Sequence, residues 1–304
     1  MKSYDMLILG GGPAGITAGI YASRAQLKVG LLEKLMPGGQ VAVTEWIDNY
    51  PGFEEGVAGP ELMQRMEKQA KRFGLEFLTG TVTDIDLNGK TKKVITKNDQ
   101  YQTKTVIIAT GTNPKLLNVP GEDKFKGRGV SYCATCDGPF FKDKDIVVVG
   151  GGNSGVQEGL YLTRFVSSIK LVEFMDHLNA ERILQKKARE NPKFSFYLNH
   201  KVVSINGEQK VTSVTVEDRQ TGEAKELKAD GVFIWVGMIP NSDFLNNKLK
   251  TDKYGFIITN EKMQTSIPGI YAAGDVREKE IRQIATAVGD GATAAEYALN
   301  YLEK

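Results

Sequence analysis

Two short apolar runs share the same surroundings in this chain. Met6-Leu-Ile-Leu9 and Ile146-Val-Val-Val149 are unbroken by polar residues, the pattern of a strand covered on both faces. Each runs into a glycine cluster, Gly10-Gly11-Gly12-Pro13-Ala14-Gly15 and Gly150-Gly151-Gly152-Asn153-Ser154-Gly155. Ile16, Ala18, Ile20, Tyr21 and Ala25 then predict one helix, and a second is expected to reach about Phe165. A further strand follows each helix, at 28–32 and 169–172, and each closes on an acid, Glu33 and Glu173. Gly10 to Glu33 and Gly150 to Glu173 are both 23 positions.

Strand, glycine turn, helix, strand and terminal acid make up the dinucleotide-binding fingerprint in its required context. The first glycine permits the tight turn, the second lets backbone approach a pyrophosphate, and the third allows close helix–strand packing. The helix N-terminus faces the phosphate charge, and the acid is placed to accept hydrogen bonds from a ribose. Two such units in one chain point to a flavin and a nicotinamide, with hydride transfer between them.

Between and beyond them, residues 59–74 predict an amphipathic helix with Leu62, Met63, Met66 and Ala70 on one side. Strands are expected at 75–78, 93–96, 105–109 and 269–273, and a long closing helix over Ile284–Leu302. Asn113-Pro114-Lys115-Leu116 and Gly237-Met238-Ile239-Pro240-Asn241 flank the second fingerprint as crossovers. The expectation is an α/β protein of two Rossmann-like, three-layer ββα nucleotide-binding domains, the second inserted into the first, with boundaries 1–114, 115–241 and 242–304.

The composition narrows the partners. At 304 residues, 41% hydrophobic and 25% charged, the chain has the material for about two cores. A net charge of +2 supplies no global field for nucleic acid or an anionic membrane. The apolar runs are strand-length, far short of the ~20 residues of a spanning helix. Met-Lys-Ser-Tyr-Asp leads straight into a strand without a signal-peptide pattern, so the expected location is cytoplasmic.

The two cysteines, Cys133 and Cys136, are three positions apart, a spacing suited to redox chemistry. A Cys-x-x-Cys pair at a helix N-terminus favours the thiolate that disulfide exchange requires. Asp137, next in the chain, offers an acid/base group for the accompanying proton. The competing zinc reading needs two further ligands, and His177 and His200 are solitary and off ligand spacing, so no metal is expected. Trp46 and Trp235 are expected in the core, and Lys186, Lys187 and Lys201 on solvated faces.

In motif order and content the chain resembles the low-molecular-weight thioredoxin reductases. The matching pieces are Gly10–Gly15, Pro37-Gly38-Gly39-Gln40, Asn49-Tyr50-Pro51-Gly52-Phe53, Ala109-Thr110-Gly111, Cys133-Ala134-Thr135-Cys136-Asp137-Gly138, Gly150–Gly155, Ala273-Gly274-Asp275 and Arg282-Gln283. The resemblance implies a redox-active disulfide beside a flavin ring, carried on the inserted pyridine-nucleotide domain, with 1–114 and 242–304 forming the FAD domain. It implies that Gly10, Gly12, Pro13, Ala14, Gly15 and Glu33 hold the adenine end of FAD, and that Gly39, Gln40, Asn49, Thr110, Gly274 and Asp275 serve its remainder. Gln283 would lie near the isoalloxazine, and Arg282 would belong to the same cofactor-binding set. Gly150, Gly152, Asn153, Ser154, Gly155 and Glu173 would hold the nicotinamide nucleotide. Cys136 would face the flavin, Cys133 would attack the partner's disulfide, and Asp137 would handle protons. A homodimer is implied by resemblance alone.

One segment departs from that family. NADPH-using members follow the second fingerprint with a His-Arg-Arg pattern and a further arginine, where this chain reads Glu173-Phe-Met-Asp-His-Leu-Asn179. A carboxylate there accepts hydrogen bonds from a free ribose diol and repels a 2′-phosphate. Gly-Gly-Gly-Asn-Ser-Gly and Val-Glu-Phe are similar to the NADH-using flavoprotein subunit of alkyl hydroperoxide reductase. The expected donor is therefore NADH, with NADPH or reduced ferredoxin as the alternatives, and the acceptor thioredoxin or a glutaredoxin-like small redox protein. A flavin ferredoxin–NADP reductase lacks the cysteine pair, and a non-catalytic redox sensor would show no steady turnover.

Overall fold

The computed structural model describes residues 2–44, 47 and 49–303; Trp46 lies outside them. Along the chain come β1 (Lys2–Leu9), α1 (Pro13–Arg24), β2 (Val29–Glu33), α2 (Gly59–Arg72), β3 (Glu76–Thr79), β4 (Val82–Asp86), β5 (Lys92–Thr96) and β6 (Gln100–Ile108). After β7 (Thr112–Pro114) follow β8 (Val130–Ser131), α3 (Ala134–Asp137), β9 (Asp145–Val149), α4 (Asn153–Leu162), β10 (Ser168–Val172), α5 (Arg182–Glu190) and β11 (Phe194–Tyr197). Then come β12 (His200–Gly207), β13 (Val211–Asp218), β14 (Ala224–Lys228), β15 (Gly231–Ile234) and β16 (Met238–Pro240), which pairs with β7. β17 (Ile270–Ala272) and α6 (Ile284–Leu302) close the chain.

The chain divides into two compact units, residues 1–113 with 239–304, and residues 114–238. In the first, β3, β2, β1, β6 and β17 are parallel neighbours, and β4 and β5 extend the sheet as antiparallel strands beyond β6. Successive side chains of a strand point to opposite faces, which explains the unbroken apolar run of β1. Met6 and Ile8 join a core with α1, α2 and α6, while Leu7 and Leu9 join one with Ile85, Val94 and Ile257.

The second unit repeats this plan. Its parallel sheet runs β11-β10-β9-β15-β8. Ile146 and Val148 face a core that includes Val156 and Leu162 of α4 and Ala188 of α5. Val147 and Val149 face Val214, Val216 and Leu227 of the antiparallel sheet β12-β13-β14. Each parallel sheet is thus buried on both sides, giving three layers of two sheets and a helical face in this unit. Trp235 stacks on Phe233, with ring centroids 5.6 Å apart. Lys201 forms a cross-strand ion pair with Glu217 at 2.7 Å, and Lys186 a helical one with Glu190 at 3.8 Å. No helix among the described residues is long and apolar enough to cross a membrane.

Candidate functional site

The glycine turns have the same geometry in both units. Gly10 and Gly150 adopt φ of +108° and +115° at the ends of β1 and β9. A Cβ there would lie 2.3 Å from the Ala109 carbonyl oxygen or 2.2 Å from that of Trp235, so a larger residue is excluded by both conformation and space. Gly12 and Gly152, the N-caps of α1 and α4, differ: an added Cβ would meet nothing within 4 Å. Space is left open in front of two helix N-termini that no described side chain caps. Amide donors without side-chain acceptors, beside a cradle that a Cβ would begin to fill, fit a dinucleotide pyrophosphate.

The terminal acids complete each turn. Glu33 Oε2 accepts the Gly11 amide at 2.8 Å, and its Oε1 that of Lys34 at 2.7 Å. Glu173, buried, accepts from Gly151 through Oε2 and from Met175 at 2.9 Å through Oε1. Glu33 Oε1 also takes the Leu35 amide at 3.4 Å, which leaves its Oε2, and both oxygens of Glu173, with lone-pair capacity for a ribose hydroxyl. Pro13, Ala14 and Gly15 open α1, and Asn153, Ser154 and Gly155 open α4. Asn153 and Glu181 are also bonded, the Glu181 amide donating to Asn153 Oδ1 at 2.7 Å.

The rest of the candidate flavin set gathers in the first unit. Asn49 Nδ2 donates to Gln283 Oε1 at 3.0 Å, joining residues far apart in sequence. Gln40, next to Gly39, donates to Asn113 at 2.9 Å, and Asn113 in turn to Asn241 Oδ1 at 2.9 Å. Asn241 also bridges Thr110, donating to its carbonyl at 2.9 Å while its own carbonyl accepts the Thr110 hydroxyl at 2.7 Å. Neither Asn113 nor Asn241 was singled out from sequence as a site residue; a lone asparagine beside a proline reads as a turn residue. After Gly274 at the end of β17, Asp275 Oδ1 is buried without a hydrogen-bond partner among the described residues, and so is Arg282 Nε. Burial raises the pKa of Asp275 against the opposing pull of Lys279 and Arg282, and burial lowers that of Arg282. A buried orphan acceptor and donor fit a polar bound group.

In the second unit Cys133 and Cys136 form a disulfide with Cα atoms 5.4 Å apart. Cys133 caps α3, and its sulfur accepts the Cys136 amide at 3.3 Å and lies 3.5 Å from Thr135 Oγ1. The Asp137 carboxylate accepts the Ser131 hydroxyl, and Ser131 Oγ also accepts the Cys133 amide at 3.1 Å, so the acid is tied to the redox segment. His177 is exposed and paired with Asp176 at 2.6 Å, while the His200 ring lies 2.6 Å from the Leu198 carbonyl.

The structure adds one cation beside Glu173. Arg219, just after β13, stacks on the Phe174 ring at 3.6 Å and donates to the Phe174 carbonyl at 3.0 Å and to Asn199 at 3.3 Å. It comes from another hairpin, 45 residues along the chain, so the local 173–179 pattern held no sign of it.

The family model for pyridine nucleotide-disulphide oxidoreductases matches residues 4–291. A thioredoxin reductase of Bacillus subtilis (strain 168) is 49% identical over 305 residues, covering 100% of this chain and 96% of its own. The crystal structure of thioredoxin reductase from Streptococcus pyogenes MGAS5005 superposes with a TM-score of 0.90 at 47% identity, covering 99% and 98% of the two chains. Thioredoxin reductase from Giardia duodenalis gives 0.92 at 33% identity, with 100% of both covered. With its paired fingerprints and its cysteine disulfide, the chain belongs to the pyridine nucleotide-disulphide oxidoreductases, and within them to the thioredoxin reductases.

Proposed function

We propose that the chain takes electrons from a pyridine nucleotide at the Gly150–Gly155 turn, with NADH preferred, and passes them through FAD held by the first unit to the Cys133–Cys136 disulfide and on to thioredoxin or a similar small disulfide protein. The observation that carries this reading is the disulfide on α3, in the same unit as the second fingerprint. When bound, the flavin supplies a two-electron relay between nicotinamide and disulfide. Gly12 and Gly152 leave room for the two pyrophosphates, Glu33 and Glu173 accept ribose hydroxyls, and Asp275 and Arg282 offer their unpaired atoms.

At the disulfide, two electrons and two protons open the S–S bond. The Cys136 amide and the Thr135 hydroxyl lie against the Cys133 sulfur, an arrangement that stabilises its thiolate. The Cys133 thiolate, its proton passed to the sulfur it expels, attacks one sulfur of the partner's disulfide; the Cys136 thiol, giving its proton by way of Asp137 to the departing second sulfur, then attacks Cys133 and releases the partner as a dithiol. Asp137, held by Ser131, is the nearby group for that proton.

The preference for NADH rests on Glu173, whose carboxylate sits at the 2′ position of the fingerprint and repels phosphate. Arg219 lies on the neighbouring Phe174, with one of its nitrogens committed to the Phe174 carbonyl and Asn199. A cytoplasmic setting and a homodimer belong to the same proposal, the homodimer on family resemblance. The test is anaerobic flavin reduction followed by absorbance with NADH, NADPH and reduced ferredoxin in turn, then turnover with thioredoxin. NADH should act fastest; reduction by ferredoxin alone would overturn the nucleotide reading.

A further inference from the structure

Beside the Gly274–Asp275 turn lies an ion cluster that the disulfide chemistry does not use. Asp290, on α6, is buried, and its Oδ2 accepts the Gly274 amide at 3.0 Å, Arg277 Nε at 2.8 Å and Lys279 Nζ at 2.9 Å. Arg277 also donates from Nη2 to Oδ1 at 3.2 Å, so guanidinium and carboxylate form a two-pronged pair whose charges cancel. Lys279 is then a surplus cation, with its side chain only 8% exposed. Burying an ion is costly unless a counter-charge answers it. Asp290 is already matched by Arg277, so holding the fold together does not account for the second cation.

The cluster adjoins the first fingerprint. A Cβ on Gly291, next to Asp290, would lie 2.2 Å from the Ala14 carbonyl oxygen, and one on Gly274 would lie 2.9 Å from the Ala14 Cβ. Asp275 lies against both Lys279 and Arg282, so the two buried carboxylates Asp275 and Asp290 face the three cations Arg277, Lys279 and Arg282 and one positive charge is left over, while Glu278 and Glu280 are exposed to water.

We propose that Lys279, held on Asp290, raises the electron affinity of the flavin that the Gly274–Asp275 turn would hold. The inference rests on the flavin reading of the first unit. A hydride leaving the pyridine nucleotide brings two electrons and one proton to the flavin, so the bound group gains one negative charge and the nucleotide becomes its oxidised cation. A fixed, water-shielded cation stabilises that added charge while leaving the neutral ring almost untouched.

The test is a dye-linked anaerobic titration of FAD-loaded protein in a Cys136→Ser background, where only the flavin takes up electrons. Lys279→Met should lower the reduced-to-oxidised ratio at a fixed potential by about tenfold, which is ~30 mV for a two-electron couple. Lys279→Arg should restore the ratio, and Asp290→Asn, which uncovers both cations, should raise it. An unchanged ratio in Lys279→Met with full FAD content overturns the proposal. So does weakened FAD binding with no change of ratio, which assigns the cation to the pyrophosphate. If Lys279→Met holds no flavin, Asp290→Asn decides: a raised ratio supports the proposal, and an unchanged or lowered one overturns it. A wild-type chain that takes up no FAD defeats both this inference and the function on which it rests, whereas FAD uptake with no dependence on Lys279 defeats this inference alone.

Discussion

Gly12→Ala separates ligand binding from folding. Gly12 has φ −76° and ψ −175°, an extended conformation open to any residue, and a Cβ there would meet nothing within 4 Å. The chain should therefore tolerate alanine, and fewer unfolded conformations should stabilise it by about 0.4–1 kcal/mol. The methyl group would nevertheless enter the space before the α1 amides, where the FAD pyrophosphate is proposed to bind. Hydrogen bonds to charged groups contribute about 1.5–3 kcal/mol, so displacing one weakens FAD by roughly ten- to a hundredfold. Gly15→Ala is the contrast, because its Cβ would lie 1.9 Å from the Gly10 carbonyl oxygen. Main chain must move there, at a cost of about 3 kcal/mol. Flavin content by absorbance and denaturant unfolding without added FAD measure the two effects. Full flavin retention by Gly12→Ala would refute the pyrophosphate assignment, and equal destabilisation by both variants would refute the open-cradle geometry.

Three further outcomes are expected. Cys133→Ser and Cys136→Ser should each abolish reduction of a protein disulfide while leaving nucleotide-driven flavin reduction intact; rapid mixing and steady-state turnover, measured side by side, distinguish the half-reactions. Glu173→Arg should remove the repulsion of a 2′-phosphate and add a donor, narrowing the preference for NADH by about tenfold in apparent second-order rate; an unaltered ratio would show that Glu173 does not read the ribose. Burial opposes ionisation of Asp290, but the hydrogen bonds and charges of Arg277 and Lys279 prevail and lower its pKa. Its contribution is therefore present above the ordinary carboxylate pKa and lost as pH falls through the lower folded value, so Asp290→Asn should cost about 3 kcal/mol near neutrality and progressively less below about pH 4 in urea titrations.

Much of the frame was readable in the sequence because it follows from local rules. The runs at β1 and β9 imply strands with two covered faces, and Leu62, Met63, Met66 and Ala70 on α2 are buried as their helical spacing requires. The chain divides into its two compact units at 113/114 and 238/239. The antiparallel strands were harder to read. β14, Ala224-Lys-Glu-Leu-Lys228, buries only Leu227, so it shows no clear alternation, and β4 is likewise mostly polar. Such strands are specified by their neighbours more than by their own pattern.

The sequence by itself determined the paired glycine turns, their terminal acids and the Cys133–Cys136 spacing, because each is a requirement of backbone geometry within about two dozen residues. Only the tertiary structure joined Asn49 to Gln283, Thr110 to Asn241, Arg219 to Phe174, and Lys279 with Arg277 to a buried Asp290. These contacts depend on which loops and strand ends the packed sheets bring together. An isolated lysine, arginine or asparagine carries no periodicity to announce its partner, and its charge or hydrogen-bonding group acquires its meaning only when burial removes water as the alternative.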